Sequence, residues 1–313
     1  RPRFQLINNE NDTLEKLVAP QAAPRKYEYV YRNIVVFIYY HLAGLYGLYL
    51  CITVAKWQTV LAGYIFYFLG GLGVTAGSHR LWSHKSYKAT KPLQLFLMLC
   101  NSIANQHSVA HWVRDHRLHH KYSDTDADPH NATRGFFYSH VGWLMVRKHP
   151  ELKKRGKLID VSDIYSNPYL KFQHDWFIPL LSFFIPTIVP MYFWSESLSV
   201  AWNVNMLRYI INLNFTFFVN SFAHIWGNKP YDKSISPSQS YPISILTLGE
   251  GFHNYHHVFP YDYRSDELSS IRLNTTTIFI NICAKLGLAY DLKKAPEQII
   301  EARAKRTGDG TRQ

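Results

Sequence analysis

Long apolar runs alternate with polar stretches along this chain, and four of the runs are long enough to cross a bilayer as helix, which takes about 20 residues. They cover roughly 34–55, 58–77, 176–194 and 202–225. The third is interrupted by Pro179, Pro186 and Pro190. Trp57, Trp176, Trp194 and Trp202 sit at run ends, where aromatic side chains meet a membrane interface. A fifth run, Leu93 to Ile103, is too short to span and reads as a buried or interfacial helix. The pattern predicts an all-α integral membrane protein with four transmembrane helices. Residues 79–172 and 226–313 would form a helical cap. A polar segment, 1–30, is expected to be partly disordered, ahead of a single domain over 31–313.

Charge then fixes the expected orientation. The net charge is +12. Segment 79–172 holds fifteen Lys and Arg, whereas the link 195–201 holds none. The first two runs are joined by barely a turn around Lys56. The positive-inside rule places the basic segment, and with it both termini, in the cytosol. The basic residues are interleaved with apolar runs rather than gathered in a tail or a groove-reading helix, which argues against nucleic acid as a partner. Cys51, Cys100 and Cys283 are widely spaced, with no disulfide framework and no C-x-x-C motif, as suits a reducing compartment.

Histidines carry the candidate chemistry. Eight of sixteen fall in three clusters: His79 and His84; His116, His119 and His120; His253, His256 and His257. Neutral imidazole is the commonest metal ligand and suits iron, zinc, copper and nickel. Since a tetrahedral zinc takes only four ligands, eight imidazoles are enough for two metals with open positions. The second and third clusters each have i, i+3, i+4 spacing, so one helix face presents all three rings. His79 and His84 stand five apart, roughly 140° around an ideal helix, and cannot share a face of one straight helix. His79 is expected at the end of the second run and His84 just beyond it. No run separates the first two clusters and two separate the second from the third, so all three meet on one side of the membrane.

His224, at the cytosolic end of the fourth run, is a ninth candidate, because a histidine there is costly unless satisfied. Asn220 lies four residues earlier on the same face; the pair could also serve interfacial hydrogen bonding or helix packing. Asp124, Asp126 and Asp128 have calcium-loop spacing, but Pro129 and Gly135 replace the required Gly and Glu. These acids read as partners of ligand histidines, or as solvated. No H-E-x-x-H occurs, since Arg80 follows His79 and Asn254 follows His253. Histidines 41, 107, 111, 130, 140, 149 and 174 read as surface or core residues.

Gly77-Ser78-His79-Arg80-Leu81-Trp82-Ser83-His84 resembles the first histidine box of membrane acyl-CoA desaturases. Asp115-His116-Arg117-Leu118-His119-His120-Lys121 resembles the second, and Gly249-Glu250-Gly251-Phe252-His253-Asn254-Tyr255-His256-His257 the third. The likeness runs from about residue 27 into the Lys305–Gly310 tail and is strongest to the Δ9, stearoyl-CoA type, insect forms among them.

The resemblance implies a di-iron centre using O2 and two electrons to insert a cis double bond, at Δ9, into a saturated long-chain acyl-CoA. Cytochrome b5 and its NADH-dependent reductase would supply the electrons, at the endoplasmic reticulum membrane. By position, His79, His84, His116, His120 and His256 would hold one iron. His119, His224, His253 and His257 would hold the other, with Asn220 acting through a water. Arg114, Asp115, Arg147 and Lys148 would meet the CoA portion, and Tyr67 would close the far end of an acyl tunnel. A substrate-contacting Asn of the family falls at His107 here, and a contacting Trp at Phe217. Gly70 and Gly71 make the lining near Tyr67 small, which predicts room for longer chains.

The ligand choice suits such chemistry. An unactivated methylene has no acidic proton and no leaving group, so acid–base side chains cannot attack it and a cofactor must carry the step. A lipid hydroxylase with the same boxes is the nearest alternative. A histidine-rich metal transporter or sensor is a different class, disfavoured because the ligands sit at run ends and in loops rather than mid-span. A zinc hydrolase is disfavoured by the excess of ligands and the missing H-E-x-x-H.

Overall fold

The computed structural model describes residues 26–173, 177–267 and 274–312. It is mainly helical. The helices that frame the molecule and its histidines are α1 (Tyr31–Thr53), α2 (Trp57–Ser83), α3 (Lys91–Ala104), α4 (Val109–Tyr122), α5 (Phe177–Trp194), α6 (Leu198–Asn220), the short α7 (His253–Val258), α8 (Thr275–Lys285) and α9 (Glu297–Thr307). Two-residue strands β1 (Lys88–Ala89) and β2 (Ala289–Tyr290) pair antiparallel and tie the C-terminal segment to the chain just after His84.

Among the described residues three helices are long and apolar enough to cross a membrane: α1, α2 and α5. Most of α1 points apolar side chains outward, including Ile38, Leu42, Leu45 and Ile52. Its buried face is small. Gly44 and Gly47 let α1 approach α6 so closely that a Cβ on Gly47 would lie 2.0 Å from the Asn203 carbonyl oxygen. The start of the predicted third span, Trp176, and His174 lie outside the described residues, as does 1–25 of the polar segment. Part of that segment is ordered, because Val30 N–H donates to the Met145 carbonyl and Arg147 N–H to that of Glu28.

The predicted fourth span differs most. Helix α6 covers 198–220 rather than 202–225, and it is less apolar than its run of Phe, Leu and Ile implies. Arg208 is buried within it and donates to the Ile103 and Ser182 carbonyls and to Asn205 Oδ1. Asn212 accepts from Gln106. These groups are tolerated because neighbouring helices, not lipid, surround this part of α6. After Ser221 a short turn, Phe222–Ile225, carries His224.

Helix α2 also departs from expectation. It does not stop near residue 77. From Gly73 to Ser83 its backbone widens to i→i+5 hydrogen bonding, and His84 N–H closes this stretch on the His79 carbonyl at 3.2 Å. The wider turn is what brings His84 beside His79. Their ring centres are 5.0 Å apart, which a regular helix would not allow. Every residue from Gly73 to Ser83 is buried. Gly73 makes room for α3, since a Cβ there would meet Asn101 N at 2.0 Å.

Candidate metal centre

Four elements converge at the ends of the long helices. Helix α4, capped by the Ser108 hydroxyl, presents His116, His119 and His120 on one face. Helix α7 presents His253, His256 and His257. The widened end of α2 and the turn after α6 add His79, His84 and His224. The nine imidazoles form two groups. His79, His84, His116, His120 and His256 bring one ring nitrogen each within 4.8 Å of the others, and so do His119, His224, His253 and His257.

Distances within each group are short. Nε2 of His79 is 3.0 Å from that of His256, His84 is 2.8 Å from His116, and His120 is 2.9 Å from His256. In the second group His253 lies 2.9 Å from His224 and 3.1 Å from His257, and His119 lies 3.3 Å from His257. Nitrogens about 2.1 Å from one transition-metal ion lie about 3.0 Å apart at a right angle and about 3.4 Å apart in a tetrahedron. The observed spacings fit that demand.

Outer partners orient the rings. Glu250 Oε2 sits 3.0 Å from His79 Nδ1. Asp128 accepts from His119 Nδ1 at 3.0 Å, and Asp124 from His224 Nδ1 at 3.2 Å. A proton held on Nδ1 leaves the Nε2 lone pair bare and facing inward, the tautomer a metal ligand needs. Burial and mutual repulsion hold His84, His116, His120, His253, His256 and His257 well below the ordinary imidazole value. Burial acts the same way on His119, but the adjacent Asp128 carboxylate outweighs it and raises His119. Burial opposes ionisation of Asp124 and Asp128 too, yet their histidine partners keep both below the usual carboxylate range.

Two of the three aspartates flagged by spacing thus act as histidine partners, while Asp126 pairs with Arg134. Glu250 was not foreseen in this role. An acid three residues ahead of a metal-binding histidine cluster was the available signal. His130 was read as ordinary packing, yet it lies within 4.8 Å of His119 and Asp128 through their ligand atoms. Burial pushes it down to about 3.

Two cavities meet at the histidines. One runs from His79, His116 and His253 past Val219 to Tyr67, whose hydroxyl donates to the Leu246 carbonyl at 2.8 Å. The other is lined by Asp115, His107, Trp143 and Phe217 among others. Trp112, His116, Thr216 and Asn220 line both. A third hollow, with Arg147, Lys148 and Lys153 at its rim, shares His107 and Trp143 with the second. Arg114 lines none of the three; it is folded onto Asp115, as is Lys148. His107 is therefore a cavity residue, held in a left-handed backbone conformation (φ 67°). Gly71 lines the first cavity against Leu248, but Gly70 packs on the Ala104 backbone, so only one of the two enlarges the tunnel.

A fatty acid desaturase family profile matches residues 55–272. The chain belongs to the fatty acid desaturase family. It is 61% identical over 308 residues to an acyl-CoA Δ11 desaturase of Choristoneura rosaceana, covering 97% of this chain and 92% of that one. To an acyl-CoA Δ9 desaturase of Acheta domesticus it is 50% identical, covering 96% and 86%. To human stearoyl-CoA desaturase it is 52% identical, covering 91% and 80%. As a desaturase-family chain with three apolar helices, it is an oxidoreductase of lipid metabolism in a membrane setting.

Proposed function

We propose that this chain is an acyl-CoA desaturase that introduces a cis double bond into a long-chain acyl group, using two iron ions and O2. The observation that carries it is the pairing of two imidazole groups with two cavities that meet beside them. Removing two hydrogens from adjacent methylenes with O2 takes two further electrons and two protons and releases two waters. The bound irons would supply that oxidising power. His79, His84, His116, His120 and His256 would hold one, and His119, His224, His253 and His257 the other, with Asn220 acting through a water.

The chain's own residues do the rest. Arg147 and Lys148 at the rim suit the phosphates of CoA, with Arg114 and Asp115 behind them. The thioester end passes His107 and Phe217. The acyl chain turns beneath Trp112 and Thr216, where Gln106 pins Thr216 Oγ1 at 2.8 Å. It then runs toward Tyr67, which ends the path and limits chain length. The apolar lining excludes water from the reacting methylenes.

In the membrane, α1, α2, α5 and α6 would be the four spans of a single desaturase domain (31–313). The cap and both termini would lie on the cytosolic side of the endoplasmic reticulum, and cytochrome b5 would be the electron donor. The resemblance of the boxes implied Δ9. Identity of 61% to a Δ11 enzyme against 50% to a Δ9 enzyme favours Δ11 as the second reading. Expression in yeast lacking its own desaturase, with double-bond positions read by mass spectrometry, tests both. Unsaturated acyl chains support the reading, hydroxylated lipids reject it, and the bond position decides between Δ9 and Δ11.

A further inference from the structure

The two imidazole groups have unlike surroundings. Among the described residues a single carboxylate touches a ring of the five-histidine group, and it is neutralised. Glu250 gives one oxygen to His79 and the other to Arg80, whose Nε and Nη2 lie 3.0 and 2.9 Å away. Arg80 is itself 1% exposed and fixed by the Tyr263 and Arg264 carbonyls and the Thr277 hydroxyl. In the four-histidine group two carboxylates touch rings, and neither meets a cation. Asp128 is fully buried against His119; its other partners are the backbone N–H groups of Asp124 and His130 and the neutral His130 ring at 3.5 Å. Asp124 accepts from His224, from the Ser236 hydroxyl and from the Ala132 N–H. Among the described residues no Lys or Arg pairs with Asp124 or Asp128.

Charges this deeply buried are weakly screened, and net charge and hydrogen bonding around a metal set its preferred oxidation state. A carboxylate on Nδ1 also makes the ligating nitrogen more basic. The fifth imidazole of the other group adds a neutral donor but no charge. Resting on the two-iron reading above, we propose that the metal positions are electronically unlike and that the four-histidine position stabilises the more highly charged ion. When one electron leaves a protein holding two ferrous ions, the ferric ion is then the one among His119, His224, His253 and His257. Asp124 and Asp128 are positioning residues that act through His224 and His119.

The test uses the full chain in detergent, loaded with iron-57(II) and titrated with ferricyanide, which takes up one electron per equivalent to give ferrocyanide. Iron per chain is counted first; fewer than two ions defeats the two-iron reading itself. With two ions bound, Mössbauer spectra should show half the iron ferric at one equivalent, in one site type. Asp128→Asn should make the first oxidation harder and leave the second little moved. Asp124→Asn, acting through a different ring, should do the same and serves where the first variant holds iron poorly. Glu250→Gln should move the second oxidation and not the first. Simultaneous oxidation of both ions, or a first oxidation that responds to Glu250→Gln rather than to the aspartate variants, overturns the proposal.

Discussion

The two halves of helix α2 obey different rules. From Trp57 to Leu72 it turns Trp57, Leu61, Tyr64 and Ile65 outward and buries little. From Gly73 to Ser83 it is buried throughout, winds more widely and carries His79 and Arg80. The first half answers mainly to hydropathy, with polar contacts at Thr59, which donates to Glu196, and at Tyr67. The second answers to partners: Arg80 has six acceptor residues around its guanidinium, and Ser83, Ser78 and Asn101 hydrogen-bond one another or nearby backbone. A lipid-facing surface tolerates exchange among apolar residues, whereas a buried polar network does not.

That contrast can be broken at graded points. The largest effect is expected from His256→Ala, which removes the ring beside both His79 and His120; activity should fall at least on the order of 100-fold, with iron lost from the purified protein. Glu250→Gln keeps the shape but frees His79 from its carboxylate. Metal affinity should drop about 10- to 100-fold, read by competition with a chelator. Within α2 itself, Gly73→Ala forces a Cβ onto the Asn101 backbone and should cost about 1–3 kcal/mol. Gly63→Ala meets only Val204 at 3.6 Å and should be neutral or stabilising by up to about 1 kcal/mol. Thermal unfolding of the two variants in one detergent compares the halves directly. An equal response would erase the distinction.

Acidity provides a further handle on the polar region. The six histidines held below the ordinary value of 6.5 bind fewer protons folded than unfolded as pH falls. The iron-free protein should therefore lose stability as pH drops below about 6.5 and regain it as pH rises. A melting temperature flat from pH 8 to pH 5 would contradict this. The smallest change is expected at Tyr67. Tyr67→Ala should leave total activity near wild type while shifting the ratio of longer to shorter products by about tenfold. Gas chromatography of C14 to C20 products reads it.

The histidine clusters were legible because three groups of imidazoles at helix spacing have few other uses, and sidedness alone brought them together. Asp124 and Asp128 were legible through their spacing near the second cluster. Glu250 and Arg80 were not, because Glu250 stands in a glycine turn and Arg80 looked only like a break in a zinc motif. Hydropathy found α1, α5 and the start of α2 to within a few residues, but not the end of α2 at Ser83. It could not reveal the widened turn of α2, since i→i+4 and i→i+5 winding leave the same composition. Nor could it place Arg208, whose cost inside an apolar run is offset by carbonyls contributed from residues far away in sequence.

The most direct test of the central claim is the iron content of catalytically active, purified protein, measured by elemental analysis against protein concentration. Two ions per chain, falling together with desaturation when a chelator strips them, is the expected result. Full activity with one ion or none would contradict it.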